Sequence, residues 1–515
     1  MNLFDKNIEA LKKINLKLAE DIINSTESSD YSSDTEISKT GHSLPLLKNG
    51  KLLHSKYDPV KEASRFFTGN ENFVLFCGLG AGIHIEFFLN NFQSKHCAVT
   101  EASFSNFKSL FKLIDFSRLI LNKNLSFLPP LESENFEKEF INTYIPAIHG
   151  NFEIRILRPW EDFYKDKTKK FENKIQTSLE KIQADLSTQA AFGKIWMRNI
   201  MHNLKTASMI RPIIPKTDQA KKAYILGAGP GLESALENIK KYRDSLVLFA
   251  SDTAFPVLNA AGIEADFFVS MDPQNISYAH CFKPFTQNTV GIFDLCSNPI
   301  LAREFLKNGN SFFFTKSAHP FAQYASFFSP FPYMETSSGT VALAARSAAL
   351  SLGFKDLEFL GLDFAYTEGK AYANGTYLSK QFEKSSFKTS SLETKFCEFM
   401  FRTEVKKTIK NGKITYTTAL LDGYKDFFEA AINLNSAAHS PCRSATPQWK
   451  NEEFSIFPYE DFISRLKKSA LKDKKMLTTA LLPYFAYLSK RLSKNISDFA
   501  DLELVLSQIL EYTVS

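Results

Sequence analysis

The sequence predicts an α/β protein: a Rossmann-like N-terminal domain, a central doubly wound and mostly parallel sheet, and a helical C-terminal region. Three observations predict it. Short hydrophobic runs alternate with amphipathic helical patterns through most of the chain, which argues for parallel strands covered on both faces. Two of these runs, "NFVLFCGLGAG" from Asn72 and "KKAYILGAGPGLE" from Lys221, pass directly into glycine-rich turns and then into helices. A chain of 515 residues is also too long for one core.

The elements follow in order. Residues 6–23 carry Ile8, Leu11, Ile14, Leu18 and Ile22 on one helical stripe. "STESSDYSSDTEISKTG" then reads as loop or short edge strands. The strand from Asn72 is followed by the helix "IHIEFFLNNF" and by a second strand, "KHCAVTEASF", whose tip is Glu101. In a nucleotide-binding domain that acid would hold a ribose; the alternative is a purely architectural unit. Residues 158–210 are periodic and helical until "RPIIP", from Arg211 to Pro215, stops them, and a domain boundary is placed there. Six further strands are expected: "AYIL" at 223–226, "LVLFA" at 246–250, "DFFVSM" at 266–271, "VGIFDL" at 290–295, "SFFFT" at 311–315 and "LEFLGL" at 357–362. Beyond Leu378 the pattern is irregular, with a hairpin expected at Asn411-Gly412. "GYKDFFEAAINLN" is a helix, and the chain is helical from Tyr459 with a turn at Pro483. The expected domains are an N-terminal Rossmann-like domain at 1–157, a helical linker at 158–215, a central domain at 216–445 and a helical region at 446–515.

Composition narrows the function classes. A net charge of +6 gives no case for nucleic-acid binding. Cys77, Cys97, Cys281, Cys296, Cys397 and Cys442 are scattered without a CxxC pair, which fits a reducing compartment and argues against a zinc site. The charged N-terminus does not read as a signal peptide and no apolar run is long enough to span a membrane, so a cytoplasmic location is expected. The 49 Phe residues fall within strand and helix patterns and form no exposed box.

Chemistry-bearing residues gather at expected strand ends. Gly227, Gly229 and Gly231 surround Pro230 before a helix whose N-terminus would face an anion. The spacing is neither GxGxxG nor a Walker loop, so a structural turn and a nucleotide contact both remain open. "LVLFASDTA" ends at Ser251, Asp252 and Thr253, and "DFFVSMDPQ" ends at Ser270, Asp272 and Gln274. In open parallel sheets ligands bind beyond such ends, although each Asp could equally cap a helix. Ser337, Ser338, Gly339 and Thr340 precede an Ala-rich helix as a second anion-binding turn or as caps. The strand "LEFLGLDF" delivers Asp363, and Tyr366 and Tyr372 follow six apart. Phenols can donate to a departing phosphate without adding charge.

The Ser-Gly turn, Ala-rich helix, Asp-Phe strand end and paired Tyr residues of Met334 to Leu378 resemble the Cst-type bacterial sialyltransferases. The whole chain is similar to the motility-associated factor (Maf) flagellin glycosyltransferases, which carry an MptE-like domain shared with an archaeal pterin pyrophosphokinase. The resemblance rests on "LHSKYDPVKEASRFF", "FCGLGAG", "FGKIWMRNIMHNL", "GAGPGLE", "SMDP" and "SSGTVALAA", in that order across most of residues 50–440. It implies transfer of a nonulosonic acid, of the pseudaminic or legionaminic type, from a CMP-activated donor to Ser or Thr of flagellin. It implies no cofactor beyond that donor substrate and leaves magnesium open. By resemblance Gly227, Ala228 and Gly229 line the cytidine monophosphate site. Asp252, with Thr253, and Asp272 stand where the sialyltransferases carry polar residues. Ser337, Ser338, Gly339 and Thr340 touch the nucleotide or the sugar carboxylate, and Tyr366 and Tyr372 stabilise the leaving phosphate. Two departures matter. The sialyltransferases place a His base after the second Tyr, but no His occurs here between His319 and His439, so the base is unassigned: Asp363 or Asp272 could serve, or a strongly dissociative reaction needs only weak base assistance. The family's usual "GPSL" is "GPGL", with Gly231 replacing Ser. His280, His319 and His439 read as structural. Two other classes compete: a pterin-type pyrophosphokinase using ATP and magnesium, and a non-catalytic flagellar assembly factor.

Overall fold

A computed structural model describes residues 2–93, 95–275, 285–286, 288–336, 339–410, 413–436, 448–472, 474–493 and 499–513. The chain divides into two compact units, Met1–Ala191 with Phe485–Asp501, and Phe192–Tyr484 with Leu502–Ser515. The first division falls inside the helix Lys165–Ala207, upstream of the proline-rich stop at which the sequence places a boundary. Helical periodicity runs unbroken through Ala191, so nothing in the pattern marks the change of unit.

In the first unit the opening helical stripe is two helices, Leu3–Lys12 and Leu16–Asn24, because the Asn15 side chain accepts the Leu18 amide and starts a new one. The Ser-rich stretch contains β1 (Tyr31–Ile37), paired antiparallel with β2 (Ser43–Leu47). The glycine-turn unit forms a parallel sheet of β3 (Phe73–Cys77), β4 (His96–Thr100), β5 (Leu125–Phe127) and β6 (Phe152–Ile156), in the order β5-β4-β3-β6. Every residue of β3 is buried, as a central parallel strand requires.

The second unit holds all six expected strands: β7 (Lys222–Leu226), β8 (Leu246–Ser251), β9 (Phe267–Ser270), β10 (Val290–Asp294), β11 (Phe312–Thr315) and β12 (Leu357–Leu360). They form one parallel sheet in the order β11-β10-β9-β8-β7-β12. The helix Val341–Ser351 lays Ala344, Ala345, Ala348 and Ala349 against Ile225, Phe249 and Val269; such small side chains allow close helix-on-sheet packing. Phenylalanine fills the sheet's interior, with Phe249 and Phe267 stacked at 4.4 Å between centroids. After β12 come β13 (Tyr366–Thr367), β14 (Lys406–Lys410) and β15 (Lys413–Thr417), an antiparallel sheet in the order β13-β15-β14. The expected turn residues Asn411 and Gly412 lie outside the described residues. Helices Tyr459–Lys472, Lys474–Ala480, Leu482–Leu492 and Phe499–Glu511 follow, with Pro483 in the first turn of the third. Among the described residues no helix is long and apolar enough to cross a membrane.

The glycine turn after β3 is filled by the chain itself. Glu101 is fully buried and accepts the Leu79 amide at 2.7 Å, the Tyr31 hydroxyl at 3.0 Å, the Trp160 indole N–H at 3.1 Å and the Ala102 amide at 3.2 Å. A Cβ on Gly78 would meet the Trp160 ring at 2.9 Å. The acid at the tip of β4 therefore clamps the turn and an aromatic plug, in the position where the sequence allows a ribose ligand. Burial pushes the Glu101 carboxyl above its ordinary range, against the pull of its four donors. Replacing it strands buried donors, so Glu101→Ala should lower the calorimetric unfolding temperature of this unit by several degrees, a loss of about 3 kcal/mol or more. An unchanged transition would contradict the clamp.

Candidate functional site at the carboxyl edge of the central sheet

From β7 the chain builds outward through β8, β9, β10 and β11, then returns to the other side of β7 with β12. The direction of winding reverses between β7 and β12, the position at which doubly wound sheets bind ligands beyond their strand ends. The ends of β9, β8, β7 and β12 are consecutive in the sheet, so Asp272, Asp252, Gly229 and Asp363 arrive at one edge.

The turn after β7 is joined to the end of β12. The amides of Gly227 and Gly229 donate to the carbonyls of Leu360 (2.9 Å) and Gly361 (2.8 Å). The Gly231 amide donates to both carboxylate oxygens of Asp363, at 3.2 and 3.1 Å. Gly231 is the first residue of the helix Gly231–Lys241, so Asp363 sits at the positive end of that helix. There is no room for side chains here. A Cβ on Gly229 would lie 2.0 Å from Asp363 Oδ2, and one on Gly361, whose φ is +67°, would lie 2.2 Å from the Gly227 carbonyl oxygen. Gly231, where the resemblance leads one to expect Ser, is similarly close to Asp363. The amides of Gly227, Gly229 and Gly231 all donate within the chain, so the turn that the resemblance places against a nucleotide presents these three glycines by their packing and not by free amides.

The same turn carries the tyrosine loop. Ala373 donates its amide to the Ala228 carbonyl at 2.8 Å. Glu233, in the first turn of the helix, ion-pairs with Lys370 at 2.9 Å and accepts the Asn374 amide at 2.7 Å. Phe364 adopts φ 47°, a region that bulky side chains avoid at a cost of about 1–3 kcal/mol. Its ring packs against Phe428 at 5.3 Å, and its carbonyl accepts the Thr417 hydroxyl. The strained residue turns the chain from Asp363 into β13.

Asp252 is buried and fully engaged. One oxygen accepts the Thr253 amide (2.7 Å) and hydroxyl (3.1 Å), and the other accepts the Ser270 hydroxyl (2.7 Å). It ties β8 to β9, while Thr253 stands half-buried beside it. Asp272 is half-buried, accepts the Gln274 amide at 2.9 Å and acts electrostatically on Tyr377. Tyr366 and Tyr372 pack on one apolar cluster with Phe396, Phe399 and Met400. Burial raises the pKa of both phenols, and the Arg402 charge opposes the rise; Tyr372 is pushed further up by Tyr377 and Tyr366. Both phenols thus stay protonated and able to donate. Thr340 caps the helix Val341–Ser351 by accepting the Leu343 amide at 3.4 Å, and a Cβ on Gly339 would meet the Tyr424 ring at 3.4 Å. Ser337 and Ser338 lie outside the described residues, as do His280 and His439. His319 caps the helix Pro320–Ala325 through Nδ1, and burial lowers its pKa to about 3, so it is neutral and structural.

Reading the sequence alone misses Glu233, Lys370, Tyr377, Arg402 and Tyr424. Glu233 had a signal, an acid in the first turn of the helix after a glycine turn. The others have none, since their proximity exists only in the fold.

Residues 196–369 match the family model described as "6-hydroxymethylpterin diphosphokinase MptE-like". Two uncharacterized proteins of Treponema pallidum (strain Nichols) are similar to this chain. One is 40% identical over 260 residues, covering 50% of this chain and 89% of its own length. The other is 42% identical over 177 residues, covering 34% and 84%. A solved structure described as a MAf glycosyltransferase from Magnetospirillum magneticum AMB-1 superposes with a TM-score of 0.56 at 14% identity, over 99% of this chain and 91% of that one. At that identity the shared property is the fold.

The matched segment opens with Trp196, Asn199 and Asn203 on one helix face. Asn199 donates to the carbonyls of Pro273 (2.9 Å) and Cys296 (3.0 Å), and Asn203 to those of Leu295 (2.9 Å) and Ser297 (2.8 Å). They brace the loop after β10, whose last residue is the buried Asp294. Asp294 accepts the Cys296 amide at 2.8 Å, and burial raises its pKa to about 6. A raised carboxyl favours the protonated folded state, so its contribution is complete at low pH and is lost as pH climbs from about 4 through 6. The difference is worth up to about 3 kcal/mol. Asp294→Asn keeps the acceptor without the charge. Its unfolding temperature relative to the parent should rise between pH 4 and pH 7; a difference that does not vary with pH would contradict this assignment.

Proposed function

We propose, from the premise that this chain belongs to the Maf-like family of MptE-domain proteins, that it is a glycosyltransferase moving a nonulosonic acid of the pseudaminic or legionaminic type from a CMP-activated donor to Ser or Thr of flagellin. The observation that supports the reading is the neutral phenol of Tyr372, packed with Tyr366 on the cluster whose Phe399 ring carries Arg402, in a loop that the Ala373 amide ties to the Ala228 carbonyl just after β7. Such a site favours a departing phosphate over a retained redox cofactor.

Each residue then has a role. Tyr366 and Tyr372 donate to the phosphate as the bond between the sugar's anomeric carbon and the phosphate oxygen breaks, the electron pair leaving with CMP. The acceptor hydroxyl attacks that carbon and gives its proton to Asp272, which is half-buried at the same edge. Asp363 is the weaker choice of base, because its carboxylate already holds the Gly231 amide. It is a positioning residue, as is Asp252. Thr253, Gly339 and Thr340 contact the nucleotide-sugar, as would Ser337 and Ser338. Gly227, Ala228 and Gly229 form the floor of the site through their close packing on β12. The name of the matched family model favours a second reading, diphosphoryl transfer from ATP to a hydroxymethylpterin.

A thermal-shift screen of the full chain with CMP, CTP and ATP, with and without magnesium, separates the two. Saturating CMP should stabilise the protein by about 3 kcal/mol at a hundredfold excess over Kd. Stabilisation only by ATP with magnesium would move the reading to diphosphoryl transfer, and no response to any nucleotide would favour a non-catalytic assembly role. With CMP-activated donor and purified flagellin, Tyr372→Phe should slow transfer by roughly 100-fold while leaving CMP affinity within a few fold. Unchanged turnover would remove Tyr372 from the mechanism.

A further inference from the structure

The glycosyltransferase reading requires a cation for the donor's negative charge, and the obvious candidate is occupied. The positive end of the helix Gly231–Lys241 already faces the Asp363 carboxylate. Lys370, the nearby lysine, is paired with Glu233. Arg402 differs. Its guanidinium lies 4.1 Å from the centre of the Phe399 ring, and among the described residues it makes no ion pair with a carboxylate. The Phe399 ring is in turn 6.4 Å from the ring of Tyr372, and both belong to the apolar cluster that holds Tyr366. Arg402 is exposed, so its charge is open to a ligand.

A guanidinium stacked on an aromatic ring is already ordered, and its planar fork matches an oxyanion in a two-point contact. Phe399 links it to Tyr372, whose ring centre lies 6.4 Å from that of Phe399, and the Arg402 charge opposes the burial-driven rise of the Tyr366, Tyr372 and Tyr377 phenols. A cation on its aromatic shelf with a phenol on the neighbouring ring makes a receptor for an oxyanion.

We propose that Arg402, stacked on Phe399 beside Tyr372, binds an oxyanion of the donor substrate. The inference rests on the glycosyltransferase reading and adds to it a residue that no motif announces. Two groups of the donor share the required chemistry: the phosphate of CMP and the carboxylate of the transferred sugar acid.

The test measures affinities of the full-length protein, by calorimetry, for CMP, cytidine and N-acetylneuraminic acid. Arg402→Ala is compared with the parent and with Arg402→Lys. Arg402→Ala should weaken an anionic probe at least tenfold while cytidine binding stays the same, and Arg402→Lys should recover only part of the loss. A loss for CMP assigns Arg402 to the phosphate; a loss for the sugar acid with CMP unaffected assigns it to the carboxylate. Because the side chain is exposed, the unliganded unfolding temperature should not change. If Arg402→Ala binds CMP and the sugar acid within twofold of the parent, this inference is overturned alone. If the parent binds neither, the glycosyltransferase reading falls and the inference falls with it.

Discussion

Asp363, just beyond β12, sets both carboxylate oxygens on the amide of Gly231, the first residue of the helix that follows β7. An anion at a helix N-terminus is worth roughly 0.3–1 kcal/mol when exposed and up to about 2 kcal/mol when partly buried. More important than the energy is the distance constraint. The contact works only because Gly227, Gly229 and Gly361 let two backbones approach where any Cβ would collide. Once the strands are joined in this way, Ala228 receives the Ala373 amide and Glu233 receives Lys370 and Asn374. The loop bearing Tyr372 is thereby tied to the turn at the carboxyl end of β7, although the two are far apart in sequence.

The two units repeat one physical solution. After β3 a buried glutamate at the next strand's tip takes the amide of Leu79; after β7 an aspartate from a neighbouring strand takes the amide of Gly231. Each turn has the composition of an anion cradle, and each is occupied by the protein's own carboxylate. In the first unit Trp160 completes the filling, and the turn is architectural. In the second the loop tied to the turn carries Tyr372, which packs with Tyr366 on the cluster that includes Phe399, the ring on which Arg402 stacks.

Much of the fold was legible in the sequence because buried parallel strands announce themselves as short Val, Ile, Leu and Phe runs, and all six in the central unit form as expected. The arrival of Asp272 and Asp363 at one edge was also legible, since strand order alone brings those strand ends together. What glycine does in the turn after β7 was not legible. Its partner Asp363 lies 132 residues away, just beyond β12, and composition cannot tell an amide offered to phosphate from one already bound to a carboxylate. Arg402 was hidden for the same reason: its shelf, Phe399, is unremarkable until Tyr372 is brought beside it. The break at Asn15 and the division at Ala191 escaped the pattern because helical periodicity continues across both.

Hydrogen exchange, read residue by residue over 366–376, tests most directly whether the joined ends of β7 and β12 hold the tyrosine loop in place. In an Asp363→Ala/Glu233→Ala protein the amides of Ala373 and Asn374 should exchange at least tenfold faster than in the parent, with β8, β9 and β10 unaffected. Protection that is the same in both proteins would mean that something other than this pair of carboxylates positions the loop, and would contradict the claim that the joined strand ends build the site.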